Sequence, residues 1–194
     1  MRRLDLVVGP NGAGKSTFVR LTLAPALPPG SLFVNADDIA AERWPEDPAA
    51  HAYEASRLAA ATREALIVSG ESFIAETVFS HPSKVELTHA ARAAGYTVVL
   101  HVLCVPVELS VARVARRVAA GGHSVPEEKI RARHARLWPL VVEAARGCDA
   151  TVLYDNSAAR GPRILARLAE GDPIGAVTWP DWIDPRLSAA WPAF

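Results

Sequence analysis

The chain has 194 residues, of which 50% are hydrophobic and 22% are charged, with 21 Lys+Arg against 21 Asp+Glu. This size and composition predict one domain with a substantial core and exclude a disordered chain, and zero net charge disfavours a nucleic-acid partner. Cys104 and Cys148 are too few for a disulfide scaffold and lack the paired spacing of a zinc site. No apolar run approaches the roughly 20 residues that cross a bilayer. We therefore expect a cytoplasmic protein with no membrane partner.

Short apolar runs alternate with segments of helical spacing along the chain. The predicted strands are 4–8, 31–35, 72–75, 97–105 and 150–154, and the predicted helices are 15–23, 49–69, 83–94, 107–120, 126–146 and 162–170. This alternation predicts an α/β fold with a parallel sheet covered by helices on both faces. We expect a single domain over residues 1–194. Its last segment, 172–194, is expected to be an irregular tail whose tryptophans pack on the domain, with partner binding as the alternative.

A glycine-rich segment between the first strand and the first helix carries the strongest motif. Residues 9–16, Gly-Pro-Asn-Gly-Ala-Gly-Lys-Ser, match the P-loop pattern G-x-x-x-x-G-K-[ST] at every fixed position. Such a loop directs backbone N–H groups and a helix N-terminus at phosphate oxygens. We expect Lys15 to hold the β- and γ-phosphates of ATP and Ser16 to bind Mg²⁺. The predicted nucleotide-binding residues are Gly9, Asn11, Gly12, Ala13, Gly14, Lys15, Ser16, Thr17 and, near the adenine, Asn156, for which a simple turn is the alternative.

The type of P-loop protein can be narrowed by what the sequence lacks. It contains neither the N-K-x-D motif that recognises guanine nor the L-S-G-G-Q signature of transporter ATPases. A chain of this length also leaves little room for the extra domains of motor ATPases. We therefore expect a P-loop NTPase fold of the nucleoside-kinase type and a kinase of a small-molecule acceptor.

Polar residues after the second and third predicted strands are the candidates for the acceptor side, because ligands gather at the carboxyl ends of parallel strands. Phosphoryl transfer to a hydroxyl needs a carboxylate that orients the hydroxyl and accepts its proton. We take Asp37 as that base; Asp38 is the competing candidate, but we expect it to cap a helix starting at Ile39. We expect Glu76 to position the acceptor or to assist Mg²⁺ through water, and Thr77 to donate a hydrogen bond to the acceptor. A structural loop role is the alternative for both.

Residues 113–136 combine a helix, a Gly-Gly-His break and an Arg-rich helix. Seven cationic residues occur here with two acidic ones, so the rest of the chain is net negative. Arg113 and Arg117 are four residues apart and share one helix face. We expect this segment to be a lid that closes over phosphates, with Arg113, Arg117 and Arg133 supplying guanidinium groups, and His123 to form hydrogen bonds at its hinge. A solvated basic face is the alternative.

Taken together, these motifs resemble the zeta toxin family of P-loop kinases over about residues 4–160. The resemblance rests on residues 9–17, Val34-Asn35-Ala36-Asp37, Phe73-Ile74-Ala75-Glu76-Thr77, Arg113-Val114 with Arg117-Val118, Gly121-Gly122-His123 and Asp155-Asn156-Ser157. It implies an ATP- and Mg²⁺-dependent kinase; the best-known members phosphorylate the sugar 3′-hydroxyl of UDP-N-acetylglucosamine, and an antitoxin is a candidate partner. By position, Lys15, Ser16, Asp37 and Glu76 match the P-loop residues, the base and the substrate-side glutamate, and Arg113 with either Arg117 or Arg133 matches the phosphate-clamping arginines.

The sequence also departs from the toxin pattern. The toxin loop after the glutamate carries an arginine that helps to hold the sugar nucleotide, whereas residues 78–81 here are Val-Phe-Ser-His. The chain resembles the shorter chromosomal members, for which a toxic role is not presumed. Three functions stay open: a kinase of UDP-N-acetylglucosamine, a kinase of another hydroxyl on a metabolite or a nucleic-acid end, and a nucleotide-dependent interaction or regulatory ATPase.

Overall fold

The computed structural model of the chain describes residues 2–27, 31–122 and 124–194. The strands are β1 (Arg3–Val8), β2 (Leu32–Val34), β3 (Phe73–Thr77), β4 (Thr97–Cys104), β5 (Ala150–Asp155), β6 (Arg163–Ala169) and β7 (Asp172–Pro173). The helices are α1 (Lys15–Phe18), α2 (Ala36–Arg43), α3 (Ala52–Ser69), α4 (Ser83–Ala93), α5 (Val107–Ala119), α6 (Glu127–Gly147) and α7 (Pro185–Ala190). The predicted helix over 15–23 is α-helical only in α1 and continues as a π-helix, Val19–Leu23.

The strands form one sheet of order β2-β3-β1-β4-β5-β6-β7. The first five strands in this order run parallel, and β6 and β7 are added antiparallel at one edge. Because strand side chains alternate between the two faces, Leu4 and Leu6 of β1 join one buried cluster with α3, α4 and α6, and Val7 joins the other with Phe18 of α1. The predicted α/β class, with helices on both faces of a mostly parallel sheet, is confirmed.

The predicted helix over 162–170 is wrong, because this segment forms strand β6. Ala166 and Leu168 are buried with Arg167 exposed between them, and β6 pairs antiparallel with β5. Leucine, alanine and arginine favour helices as isolated residues. The open edge of β5 overrides that preference, because pairing there satisfies backbone hydrogen-bonding groups that would otherwise stay unpaired.

The start of α2 also differs from the prediction. Asn35, in extended conformation at the end of β2, caps the helix, because its side-chain oxygen accepts a hydrogen bond from the N–H of Asp37 at 2.7 Å. The helix therefore begins at Ala36, and the predicted capping role of Asp38 is wrong. Asp38 lies in the first turn of α2 and forms an ion pair with Arg20 at 2.8 Å.

The segment over 172–194 is more ordered than the predicted irregular tail, since it contains β7 and α7. Trp191 is buried in the core cluster, and Trp179 and Trp182 pack against that cluster. Hydrogen bonds from two indole nitrogens stabilise the segment. Trp179 donates to the carbonyl oxygen of Trp191 at 2.7 Å, and Trp191 donates to the carbonyl oxygen of Gly171 at 2.9 Å. In the part of the chain that the structure describes, no helix has both the length and the apolar character needed to span a membrane.

Candidate functional site

The predicted P-loop connects β1 to α1, and its backbone passes close to neighbouring strands and loops. Gly14 has φ +84, and a Cβ built there would lie 2.8 Å from the side-chain nitrogen of Asn156. A Cβ on Gly9 would lie 2.6 Å from the carbonyl oxygen of Leu103. Both contacts are too short for a side chain, so the close approach of the loop to β4 and to the segment after β5 requires glycine.

Two side chains fasten the P-loop to the segment after β5. The amide nitrogen of Asn156 donates to the carbonyl oxygen of Ala13 at 2.7 Å. The Arg113 guanidinium donates to the carbonyl oxygens of Gly12 at 3.4 Å, Asn156 at 3.0 Å and Ser157 at 3.2 Å. Both residues therefore position the loop, and the predicted contact between Asn156 and adenine stays a prediction.

A cavity of about 550 Å³ opens between the P-loop and the carboxyl ends of the neighbouring strands. Twelve of the predicted site residues line it: Asn11, Gly12, Gly14, Lys15, Ser16, Thr17, Asp37, Glu76, Thr77, Arg113, Arg117 and Arg133. The predicted residues that lie outside its lining are Gly9, Ala13 and Asn156, which belong to the P-loop or hold it in place. The volume is within the range of small-molecule sites.

Lys15 and the charges around it are the electrostatic centre of the cavity. Its ammonium donates to two P-loop carbonyl oxygens, both at 3.1 Å. Burial lowers the pKa of Lys15, the carboxylates of Glu76 and Asp37 oppose that shift, and the positive charges of Arg117 and Arg133 add to it. These five side chains are therefore close enough to interact, although they come from five separate helices and strands.

Ser16 and Glu76 provide oxygen ligands suited to Mg²⁺. The Ser16 hydroxyl donates to Oε1 of Glu76 at 3.0 Å. The other carboxylate oxygen, Oε2, is buried and has no hydrogen-bond partner among the described residues. Burial raises the pKa of Glu76, against the lowering effects of Lys15 and the Ser16 hydrogen bond. In the same described ranges, no three His, Cys, Asp or Glu side chains cluster as a metal site.

The two candidate bases occupy different environments. Asp37 is exposed to the cavity and lines it from the first turn of α2. Asp38 does not line it and instead pairs with Arg20. Of the two carboxylates, only Asp37 is therefore placed to reach a ligand in the cavity.

The basic segment over 113–136 divides into two groups. Three of its arginines line the cavity: Arg113, Arg117 and Arg133. In contrast, Arg131 of α6 forms an ion pair with Glu108 of α5 at 2.7 Å, which ties the two helices together, and a second one within α6 with Glu127 at 2.8 Å. Gly121, with φ +83, follows α5 where the break was predicted, and His123 lies outside the described residues.

Two cationic side chains in the cavity lining were not predicted from the sequence. Arg63 of α3 is only 5% exposed, and Lys84 lies in the first turn of α4. Ala55, Ala59 and Arg63 recur every four residues and form the buried face of α3, so this spacing is the signal that could have identified Arg63. With them, six Lys and Arg side chains and two carboxylates line the cavity, which is strongly positive.

The loop after β3 adopts an unusual backbone conformation beside the cavity. Phe79 is wholly buried and has φ 61, a region that bulky residues rarely adopt. Its N–H donates to Oγ1 of Thr77 at 3.4 Å. The buried phenyl ring fixes the course of this loop, which brings Ser80 and His81 into the lining. The predicted hydrogen bond from Thr77 to an acceptor stays a prediction.

Several solved structures have similar folds. The AvrRxo1-ORF1:AvrRxo1-ORF2 complex gives a TM-score of 0.68 at 20% identity in its native form and 0.58 at 18% identity with ATP, each covering 90% of this chain and 60% of that chain. The PezAT chromosomal toxin-antitoxin system of Streptococcus pneumoniae gives 0.58 at 13% identity, covering 86% and 72%. Shikimate kinase from Acinetobacter baumannii in complex with shikimate gives 0.52 at 23% identity, covering 74% and 80%. At these identities the TM-scores show a shared fold alone, and the chain spans about 60% of the AvrRxo1 chain.

A comparison with curated protein sequences returned no match. The model of the AAA domain family, in contrast, matches residues 4–140, which include the P-loop, Asp37, Glu76 and the basic segment. Together with the toxin and kinase structures above, this match confirms the predicted P-loop kinase fold and the resemblance to zeta toxin-like kinases. The chain belongs to the AAA domain family.

Proposed function

We propose that the protein is an ATP-dependent kinase that transfers the γ-phosphate to a hydroxyl group of a small molecule. The observation that carries this proposal is the convergence of Lys15 and Ser16 of the P-loop with Asp37 and Glu76 on one cavity. A phosphate donor and a hydroxyl acceptor bound together in such a cavity would react as if within one molecule. The AvrRxo1 complex with ATP supports the binding of the phosphate donor, and shikimate kinase with shikimate supports the binding of a hydroxyl acceptor.

At the donor end, backbone N–H groups of the P-loop and the ammonium of Lys15 would bind the β- and γ-phosphates. Ser16, and Glu76 through water, would hold Mg²⁺. When bound, this ion would neutralise negative charge on the phosphates of the nucleotide. Arg113 would keep the loop in place through its three backbone carbonyl contacts.

At the acceptor end, the oxygen of the acceptor hydroxyl would form a bond to the γ-phosphorus. Asp37 would accept the proton that this hydroxyl loses. The bond between the γ-phosphorus and the bridging oxygen breaks in the same displacement, and ADP leaves. Arg117 and Arg133 would stabilise the charge on the transferred phosphoryl group, and Thr77 would orient the acceptor. We assign residues 113–136 the role of a lid that excludes water during this step.

The 3′-hydroxyl of UDP-N-acetylglucosamine is our first choice of acceptor, on the strength of the resemblance to zeta toxins. A different hydroxyl acceptor is the second choice, because residues 78–81 line the cavity without an arginine. The third choice, an ATPase that regulates a partner through the tail, gains no support from Trp191, which is buried in the protein's own core.

The test is an acceptor screen with ATP and Mg²⁺, in which ADP release and phosphorylated products are measured by a coupled assay and mass spectrometry. We expect one acceptor among UDP-N-acetylglucosamine, N-acetylglucosamine, shikimate and a 5′-hydroxyl oligonucleotide to stimulate ADP release, and Asp37→Asn to abolish the stimulation. If no acceptor stimulates wild-type turnover, and ATP instead displaces a co-purifying protein, the kinase proposal is wrong and the regulatory ATPase is favoured.

We also propose an antitoxin as a protein partner, supported by the fold similarity to the PezAT and AvrRxo1 complexes. Affinity purification of the tagged chain from its native host, followed by mass spectrometry, tests this proposal. The expected result is one stoichiometric partner whose binding lowers kinase turnover. Recovery of the chain alone would count against an antitoxin.

A further inference from the structure

Arg63 and Lys84 add positive charge to the cavity from elements that carry none of the predicted site residues. Arg63 lies in the C-terminal half of α3, and Lys84 lies in the first turn of α4. Both line the same cavity as Lys15 and Asp37. They belong neither to the P-loop nor to the segment over 113–136, so the phosphate-binding roles proposed above do not account for them.

Arg63 is a buried cation without a matching anion. Its residue surface is 5% exposed, and within the described ranges its guanidinium forms no ion pair and no hydrogen bond. Burial lowers its pKa, and the neighbouring charge of Glu64 only partly opposes that shift. Buried guanidinium groups are normally paired, because an uncompensated charge in the interior is unfavourable. The arrangement is therefore suited to an anion that enters the cavity.

Lys84 strengthens this conclusion from a separate helix. It is half-buried, and burial together with the positive charge of Arg63 lowers its pKa. Two cations that repel each other and line one cavity favour an anion between them. Among the residues that the structure describes, no carboxylate pairs with Lys84.

The overall charge of the cavity leads to the same result. Lys15, Arg117 and Arg133 already provide three positive charges for the phosphates of the donor, and Arg113 holds the P-loop in place. Arg63 and Lys84 are in excess of these, and they line the cavity together with the loop that follows Glu76. An acceptor with its own negative charge would use this excess.

We propose that Arg63 and Lys84 form an anion-binding subsite for the acceptor, which therefore carries a phosphate or carboxylate group in addition to the hydroxyl that becomes phosphorylated. The guanidinium fork of Arg63 can bind either group in a bidentate manner, and Lys84 adds a point charge. A neutral acceptor would leave the buried Arg63 and the half-buried Lys84 without an anionic partner, so it would be rejected. The role in acceptor choice rests on the proposed kinase function, whereas binding of the anion does not require turnover.

The full-length protein saturated with the non-hydrolysable ATP analogue AMP-PNP and Mg²⁺ is titrated with inorganic phosphate, at constant ionic strength, and its melting temperature is recorded. We expect a saturable rise for the wild type. Arg63→Gln and Lys84→Gln should each raise the apparent Kd for phosphate about tenfold or more. Arg57→Gln, on the same helix but exposed and outside the cavity lining, should leave it unchanged. A parallel titration with acetate shows whether the subsite prefers a carboxylate or a phosphate.

Equal apparent Kd values for phosphate in wild type, Arg63→Gln and Lys84→Gln would overturn the subsite. If Arg63→Gln does not fold, Lys84→Gln decides the outcome, because Lys84 is only half-buried. Failure of AMP-PNP to raise the melting temperature would contradict the donor site instead. In that case the same phosphate titrations, made in nucleotide-free Lys15→Ala protein, still test Arg63 and Lys84.

Discussion

The donor end and the acceptor end of the cavity are built in opposite ways. The donor end is one continuous stretch, residues 9–17, in which glycine positions and backbone groups follow each other in a loop. The acceptor end is assembled from α2, α3, β3 and α4, each of which contributes one or two polar side chains. A continuous loop can be recognised as a motif, whereas a set of separate side chains becomes a site only when the helices pack on the sheet.

The two carboxylates that line the cavity also differ in their environment. Asp37 is exposed to the cavity, whereas Glu76 is half-buried against Ser16 with one oxygen unpartnered among the described residues. An exposed carboxylate can move with a bound acceptor, but the buried one is held by its neighbours. Variants of the two residues are therefore expected to change different measured quantities.

The largest effect is expected for the proposed base. Asp37→Asn should lower acceptor-dependent kcat by about 10²- to 10⁴-fold and leave ATP affinity near wild type, because an amide cannot accept the proton. Asp38→Asn is the matched control, since Asp38 pairs with Arg20 outside the cavity. Steady-state ADP release measures both variants, and equal losses would show that the structure does not distinguish the two candidates.

The next effect concerns the arginines of the predicted lid. Arg117→Ala and Arg133→Ala should each lower kcat by about 10²- to 10³-fold with a smaller change in ATP affinity, because charge on the phosphoryl group develops in the transition state. Arg131→Ala removes an equal charge that is paired with Glu108 and Glu127, and it should turn over near the wild-type rate. A loss of binding as large as the loss of kcat would indicate ground-state binding alone.

A smaller effect is expected at the donor end. Lys15→Ala should weaken ATP binding about 10- to 100-fold, since it removes one charge-assisted contact to the phosphates. The control is Lys129→Ala, because Lys129 is exposed and outside the cavity lining. Titration with a fluorescent ATP analogue measures both affinities, and an unchanged affinity in Lys15→Ala would refute the P-loop assignment.

The smallest effect is a change in stability with pH. Burial holds the pKa of Glu76 in the folded protein above its ordinary value of 4.5. Between pH 4.5 and that raised pKa, the folded state therefore binds more protons than the unfolded state. Wild-type stability should therefore fall as the pH rises through this window. Glu76→Gln removes that fall and should melt about 2–4 °C higher than the wild type at pH 7, with little difference at pH 4.

Differential scanning calorimetry of the nucleotide-free proteins between pH 4 and pH 8 measures this difference. The proposed function predicts that the same variant loses turnover, so greater stability and lower activity should appear together in Glu76→Gln. A melting-temperature difference that does not vary with pH would show that the carboxyl proton of Glu76 is not responsible.

Particular residues show where sequence patterns were sufficient and where they failed. The P-loop and the parallel strands were predicted because each depends on neighbouring residues and on a regular spacing. The segment over 162–170 was assigned to a helix because its residues favour one locally, but pairing with β5 determined its state. Asp38 was expected to cap α2, but the helix begins about one turn earlier, because the side chain of Asn35 accepts a hydrogen bond from the N–H of Asp37.

The sequence by itself determined the P-loop, the α/β fold and therefore the phosphate-binding chemistry of the donor end. Only the tertiary structure decided which cations share the cavity with that loop. It placed Arg63 and Lys84 in the lining and directed Arg131 to Glu108 and Glu127 instead. The physical reason is range: hydrogen bonds and dihedral preferences act over a few residues, whereas the convergence of side chains from separate helices depends on how each helix packs against the sheet.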